Sequence, residues 1–495
     1  MMTRLSAAPL IVAALALAGL TIRLQHLEQP LLGFHPTRQY RSAVIARACY
    51  FDHAQVPEWA RATARANLAM QPAGEPPFME WLACGAYQAL GAERLEAARV
   101  LGSTFWVIGT IPLYALITSI ASPAAAIVGI STYLFAPYGI VASRAFQPDA
   151  LMTLCALCAL WALVRFHARP TTSRLAAAAV AVGIATVVKP MSVFLTIPVA
   201  VGCAAAQGGL VRALRSPALW RPAALGLIPG VVYYGYSAIA GTLARDQMQL
   251  RFVPSLLGTT FFWQGLWTQL GHVFGVLLLT VMVLGTCVAP RGLARALLVS
   301  LWTGYAAFAV AFTYHMPTHD YYHLPYLTLA ALAVASVFEF GIRPRLRGPA
   351  MRIAVIGACL IGAAGIAGAM PAIRTGDAER LEQYEKIGEL ADHSARVLFL
   401  DLHYGYPLMY HGQLAGDAWP TTDDLTAEQF GGAPEIDAQV RYARDFADYR
   451  ATHFIVTDVA SLQAQADLEQ LLGQIATVVT QTPAYHVYRL TGASR

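Results

Sequence analysis

Apolar stretches of about 18 to 22 residues recur along this chain and constrain it more than any motif does. A helix needs roughly 20 such residues to cross the hydrocarbon core of a bilayer. Eleven stretches meet that length, near residues 6–23, 97–118, 123–142, 149–166, 174–190, 191–207, 222–240, 272–290, 296–313, 322–340 and 353–371. With 57% hydrophobic and 13% charged residues among 495, the chain has too little polar surface for a soluble globule of this size. The net charge of +5 does not indicate nucleic acid, because the arginines lie in short clusters between apolar runs.

Those clusters orient the helices, since lysine and arginine collect on the cytoplasmic side. With the N-terminus inside, that side receives Arg4; then Arg165, Arg169 and Arg174; then Arg212, Arg215 and Arg221; then Arg291 and Arg295; and finally Arg343, Arg345, Arg347 and Arg352. An odd number of spans puts the C-terminal region outside. Two alternatives bear on the count. The first stretch follows Arg4 and ends in small residues, as a cleaved signal peptide does, but it is long for one and runs through to Ile22. Lys189-Pro190 could mark a kink in one helix instead of a boundary between two, yet losing a span breaks the arginine alternation downstream. The expectation is a polytopic α-helical membrane protein of the inner or plasma membrane. About eleven transmembrane helices fill residues 1–374, with a first outer loop over about 24–96, and residues 375–495 form an extracytoplasmic α/β domain. Short β-rich runs at Val397–Asp401, Phe454–Asp458 and Tyr485–Leu490, alternating with helical stretches, carry that last assignment. Asp401 and Asp458 end two of the runs, where such sheets bind ligands, although aspartates there more often cap helices or turns.

The seven cysteines lie mostly at membrane depth and none follows Cys359, so the outer domain relies on packing. Cys155 and Cys158 form a CxxC inside an apolar helix, which reads as packing rather than metal or redox chemistry. Cys49 and Cys84 share the first outer loop, where they either pair or stay free.

Unusual polar chemistry gathers on the outer face. The first loop reads Gly33-Phe34-His35-Pro36-Thr37-Arg38-Gln39-Tyr40-Arg41 and later Gly74-Glu75-Pro76-Pro77-Phe78-Met79-Glu80, with amphipathic helices between. Ser143-Arg144-Ala145-Phe146-Gln147-Pro148-Asp149 precedes the fourth span, and His315-Met316-Pro317-Thr318-His319-Asp320-Tyr321-Tyr322-His323 the tenth. Ionisable groups at membrane depth are costly and mark a pathway or a site; the plainer reading of each alone is a headgroup-level residue paired with lipid or water.

In this order of elements the chain resembles the membrane-embedded GT-C glycosyltransferases of the dolichyl-phosphate-mannose protein mannosyltransferase class, glycosyltransferase family 39, which include the bacterial lipid A aminoarabinose transferases. The likeness runs over about residues 5–340: the long outer loop, Pro76-Pro77 before the second span, Arg144 to Asp149, Lys189-Pro190, and the His319-Asp320-Tyr321-Tyr322 turn. It implies transfer of a sugar from a polyprenyl-phosphate carrier to a lipid, glycan or protein acceptor outside, within membrane lipid. The class needs a base for the acceptor hydroxyl and cations for the departing phosphate. The chain departs from the class in that its acidic pair falls on Arg38-Gln39, with Arg41 where related sequences place an aspartate. Its Lys-Pro-Pro, whose lysine meets the carrier phosphate, becomes Glu75-Pro76-Pro77. An exchange of roles accounts for this: Glu75 is the expected base, followed by His35 and Asp149, while Arg38, Gln39, Arg41, Arg144, Lys189, His319, Asp320 and Tyr322 are the expected substrate-binding groups. Lys189 is weighed equally as a snorkelling residue, and Glu80 is expected to be solvated. No cofactor is required; a divalent metal remains open, zinc at His319, Asp320 and Tyr322 with His315 being the arrangement weighed. The rivals are a transporter or flippase and a non-catalytic binder of a lipid-linked sugar.

Overall fold

The structure is a computed structural model, and it describes residues 7–71, 74–240, 252–346, 349–374, 377–430 and 432–491. Arg4 and Arg347, used above to orient the spans, lie outside them. The chain forms two compact units: Met1–Leu27, Ala73–Phe78 and Arg99–Arg374 make the first, and Glu28–Pro72, Met79–Ala98 and Thr375–Arg495 the second. The first outer loop thus gives most of its residues to the second unit and only its first few, up to Leu27, and its Pro76-Pro77 segment to the first.

The first unit is helical. Six helices among the described residues are long and apolar enough to cross a membrane: Leu95–Thr118, Asp149–Ala168, Pro190–Gly208, Leu293–Ala311, Asp320–Arg345 and the one that begins with Ala350–Arg374. The remaining expected stretches also fall on helices, at Ala7–Arg23, Pro123–Phe135, Thr172–Val188, Pro217–Ile239 and Gly275–Val288. The last is preceded by Thr260–Val273 and bent from it by 92°, a corner turned at Gly275, whose φ of 69° suits a residue without a side chain. Lys189 stands in extended backbone between Thr172–Val188 and Pro190–Gly208, so the Lys-Pro step ends one helix and starts the next. Glycines let helices meet backbone to backbone: a Cβ on Gly304 would lie 1.8 Å from the Phe194 carbonyl oxygen, and one on Gly365 1.7 Å from that of Phe135.

In the second unit, helices Pro36–Phe51 and Phe78–Leu90 are joined by a Cys49–Cys84 disulfide. Glu80, expected in solvent, is buried and accepts a 2.6 Å hydrogen bond from the Ser42 hydroxyl, because its helix turns that face onto Pro36–Phe51. The C-terminal residues build a five-stranded sheet of β1 (Val397–Leu400), β2 (Gly416–Ala418), β3 (His453–Val456), β4 (Ala476–Gln481) and β5 (His486–Leu490), in the order β2-β1-β3-β5-β4. β1 runs parallel to β2 and β3, while β5 is antiparallel to β3 and β4. Every residue of β1 and β3 is buried, which is why both read as continuous apolar runs. The loop helices bind to this region through named groups. Asn67 donates to the Leu414 carbonyl at 2.9 Å, and the Arg47 guanidinium sits 3.6 Å over the Tyr410 ring while pairing with Glu93 at 3.0 Å.

Candidate functional site

The polar cluster of the helical unit starts with Asp149, the first residue of helix Asp149–Ala168, and Lys189, the break between two later helices. Lys189 Nζ donates to Asp149 Oδ1 at 2.7 Å, and each side chain is only 1% exposed. The ammonium also lies 5.3 Å and 5.5 Å from the ring centroids of Tyr321 and Tyr322, a cation over two aromatic faces. A buried ion pair of this kind is retained only when its geometry and remaining partners offset its desolvation. Here part of the polar capacity is left over. Asp149 Oδ2, the Ser192 hydroxyl and both amide atoms of Gln147 are buried and have no hydrogen-bond partner among the described residues. Each such atom costs about 1–3 kcal/mol, and groups of them require an explanation.

Two ties hold the Asp149 turn in place. Fully buried Arg23 donates from Nε to the Ser143 hydroxyl at 2.7 Å, and from its other nitrogens to the carbonyls of Gly19 and Leu134 at 2.8 Å. Arg144 returns the contact, with Nη2 donating to the carbonyls of Gln25 and His26 at 2.7 and 2.8 Å. Arg144 therefore positions the turn through the end of the first helix. Sequence reasoning missed Arg23; the signal was an arginine at the far end of the first span from Arg4.

Beside this lies the tenth-span turn. Asp320 accepts from the Tyr138 hydroxyl at 2.8 Å and stands 3.3 Å from His272 Nε2. His319 Nδ1 bonds the Thr318 hydroxyl at 2.7 Å, and its ring centroid is 5.3 Å from that of His315 and 6.1 Å from that of Tyr322. The weighed zinc arrangement is not formed: among the described residues no three His, Cys, Asp or Glu side chains converge as metal ligands. Glu75, half-buried, is brought to the same helices by its neighbour Phe78, which packs with Met152, Ala156 and Val188. Met152 is three residues from Asp149 and Val188 precedes Lys189, so the Pro-Pro segment is fastened where the ion pair sits.

The other expected residues lie in the second unit. His35 precedes helix Pro36–Phe51 with a left-handed φ of 41°, its ring 4.7 Å from that of Phe34. Buried Gln39 is a clamp on its own loop, its amide donating to the carbonyls of Leu31 and Phe34. Arg41 Nε donates to Gln71 Oε1 at 3.2 Å, and the Tyr406 hydroxyl donates to the same oxygen at 2.9 Å. Burial pushes the Tyr406 phenol up, with Arg41 and Arg38 pulling it back, so both arginines face this tyrosine. Sequence reasoning had no route to Gln71 or Tyr406, which lie far from Arg41 in the chain.

The fold and this site define a polytopic membrane protein with a buried, charged cluster where a helix starts and another breaks. Comparison with known proteins shows what the chain is similar to. Residues 74–234 match the family model described as dolichyl-phosphate-mannose-protein mannosyltransferase. The fold is similar to the crystal structure of ArnT from Cupriavidus metallidurans bound to undecaprenyl phosphate, with a TM-score of 0.58 and 16% identity over 97% of each chain. It is similar to the apo state of the same protein, with a TM-score of 0.58 and 16% identity over 99% of this chain and 100% of that one. It also resembles a cryo-EM structure of a mutant arabinofuranosyltransferase AftD from Mycobacteria, with a TM-score of 0.51 and 14% identity over 98% of this chain and 42% of that one. No curated protein matches the chain in sequence. The chain is an integral membrane protein whose fold is similar to that of ArnT, and the family-model match covers about a third of its length.

Proposed function

We propose that the protein transfers a sugar, hexose or pentose, from a polyprenyl-phosphate carrier to an acceptor on the extracytoplasmic side. The observation that carries this reading is the buried Lys189–Asp149 pair with unpartnered Gln147, Ser192 and Asp149 Oδ2 around it, in a fold shared with a protein solved with undecaprenyl phosphate. In an inverting transfer the acceptor oxygen bonds to the anomeric carbon as the bond from that carbon to phosphate oxygen breaks. The electron pair leaves with the carrier phosphate, and the acceptor proton goes to a base.

We assign the base to Glu75. Asp149, already engaged by Lys189, serves better to hold and orient that ammonium, and His35 is the alternative acceptor of the proton. Lys189, with Tyr322, His319 and Asp320 beside it, is assigned to the phosphate and the sugar hydroxyls, and Arg38 and Arg41 to anion binding. Oriented donors around the leaving phosphate lower its barrier by electrostatic preorganisation. The same reading gives eleven spans, a cytoplasmic N-terminus and an outer C-terminal region; the Cys49–Cys84 disulfide supports it, since such bonds persist in oxidising compartments.

Membranes expressing the wild type, Glu75→Gln, Lys189→Met and Arg38→Ala forms, supplied with labelled polyprenyl-phosphate sugars, test the reading. Transfer by the wild type and its loss in Glu75→Gln and Lys189→Met is the expected result. Full transfer by Glu75→Gln sinks the assignment of the base. The 92° helix break at Phe274-Gly275 is a feature that carrier proteins share; movement of labelled lipid across the bilayer without transfer would favour that rival.

A further inference from the structure

A second cavity lies in the C-terminal α/β fold, apart from every residue assigned above. Its position follows from the topology of the sheet. From the carboxyl end of β1 the chain turns to β2 on one side, and from the carboxyl end of neighbouring β3 it turns towards β4 on the other. Connections that diverge in this way open a crevice between two parallel strands, and ligands of open α/β sheets bind there. A cavity of about 270 Å3 occupies this position, lined among others by Arg380, Gln383, Asp401, His403, Thr457 and Tyr485.

The floor is built, not accidental. Asp401, 4% exposed, follows β1 directly and accepts hydrogen bonds from the backbone of His403 at 2.7 Å and Gly405 at 3.1 Å, and from the Thr457 hydroxyl across the crevice. The amides of Thr457 and Asp458 both donate to the Leu400 carbonyl, at 3.0 and 3.1 Å, which fixes the β3 side. Asp458 itself caps the next helix through Ser461, so it belongs to the frame and not to the pocket. A carboxylate accepts about four hydrogen bonds; three are named here for Asp401, which lines the cavity. Burial, with Arg380 adding to it against the pull of Asp401, holds His403 below its ordinary value, so its ring is neutral and offers one donor and one acceptor. The Gln383 amide and the Arg380 guanidinium, which is paired with Asp377 at 3.3 Å, also line the cavity, with Tyr384, Ile387, Val459 and Tyr485 as the apolar part.

This mixture selects the ligand. An anion would meet the Asp401 carboxylate and a cation the Arg380 guanidinium, whereas hydroxyl groups both donate and accept. The volume is below the roughly 300–1,000 Å3 of pockets for drug-sized ligands, and it fits one ring, not a chain. We propose that this crevice binds one neutral polyhydroxylated ring, a saccharide residue, either free or at the end of a glycan. The inference does not require the helical unit to transfer sugar.

The full chain in lipid nanodiscs, free of sugar-based detergent, is mixed with the methyl glycosides of glucose, mannose, galactose, arabinose and N-acetylglucosamine, and saturation-transfer NMR reads binding. At least one glycoside receives saturation, and Gln383→Ala and His403→Ala each weaken it roughly tenfold by removing hydrogen-bond partners. An oligosaccharide ending in the same residue, bound more tightly than its methyl glycoside, assigns the site to glycan ends; equal binding assigns it to the free sugar. Gln383 is half-buried on a helix face, so its variant folds even if the histidine variant does not. No saturation of any glycoside, binding unaltered by Gln383→Ala, or loss of binding in Lys189→Met alone overturns the proposal. Because the readout is binding and not transfer, a failed transferase reading leaves this result standing, and the reverse holds too.

Discussion

Lys189→Met isolates what the buried pair contributes. The ammonium and the Asp149 carboxylate are 2.7 Å apart and 1% exposed, and removing one partner leaves the other charged and dry, a change worth about 3–5 kcal/mol. At an unfolding entropy of roughly 2.1 cal/mol/K per residue, the roughly 310 residues of the first unit convert that to a fall in Tm of about 5–8 °C. The methionine fills the aliphatic volume of lysine, so packing loss adds little. Asp149→Leu should fall by a similar amount, and Lys189→Met/Asp149→Leu should recover most of the loss, because replacing both charges of a buried pair by apolar groups is often neutral. The assay is fluorescence-detected thermal unfolding of purified protein for the four forms of the cycle, run beside the transfer assay. All three variants should lack transfer, including the one whose stability is restored. Single variants that melt with the wild type would refute the argument that the pair is desolvated; a double variant that still transfers would refute its role in binding the carrier.

Further outcomes follow from the same structure. Cys49→Ser opens a loop with a sequence separation of 35 residues, which chain entropy values at about 4 kcal/mol. Unfolding of the second unit should move down accordingly, and complete alkylation of both thiols in intact cells would contradict the bond. His411, bonded to the Tyr40 hydroxyl at 2.9 Å, is pushed down to about 3 by burial and by Arg47. Its folded value lies below its unfolded value, so the unfolded chain takes up a proton first as pH falls. Stability should then fall from about pH 6.5 towards pH 3, by up to about 1.4 kcal/mol per pH unit. His411→Gln should flatten that part of the profile in a urea titration, and an unchanged profile would refute it. Gly304→Ala puts a methyl 1.8 Å from the Phe194 carbonyl oxygen, which no flexible atom can relieve. A loss of at least about 1–3 kcal/mol is expected, read as reduced monodisperse yield, while the same change at Gly357, where nothing lies within 4 Å, should be neutral.

The helical unit was legible because its signal is thermodynamic and one-dimensional: a length of apolar chain, ended by Pro, Gly or charge. Every expected stretch falls on a helix, and the Lys189-Pro190 step does separate two of them. What the one-dimensional signal could not give is the direction a side chain takes once helices pack. Glu80 read as solvated since it is charged and follows a turn, yet its face of the helix meets Ser42. Gln39 lies in the segment that replaces the family's acidic pair, but its amide is used on the carbonyls of its own loop. Arg23 looked like the end of a span, and it proved to be a buried strut that reaches Ser143 and Leu134, more than one hundred residues away. For Glu80 and Arg23 the deciding partner is remote in sequence, and for Gln39 it is the turn of its own loop; in each case the residue's own character says only that a partner must exist.

That same rule bears on the Asp149 turn. An aspartate opening an apolar helix and a lysine closing another are individually affordable, as a helix-dipole anion and a snorkelling cation. The chain instead buries both and joins them, so each must cost more alone than the pair costs together. A chain that needed only to anchor two helix ends could do so with apolar residues at lower cost. Gln147 and Ser192, buried beside the pair with polar atoms unspent, make an anchoring role less economical still. The surplus of polar capacity in this part of the helical unit therefore calls for a polar ligand group; in the proposed reading the Lys189 ammonium, the Ser192 hydroxyl and the Gln147 amide nitrogen donate to the carrier phosphate, while Asp149 Oδ2 and the Gln147 amide oxygen accept from hydroxyl groups.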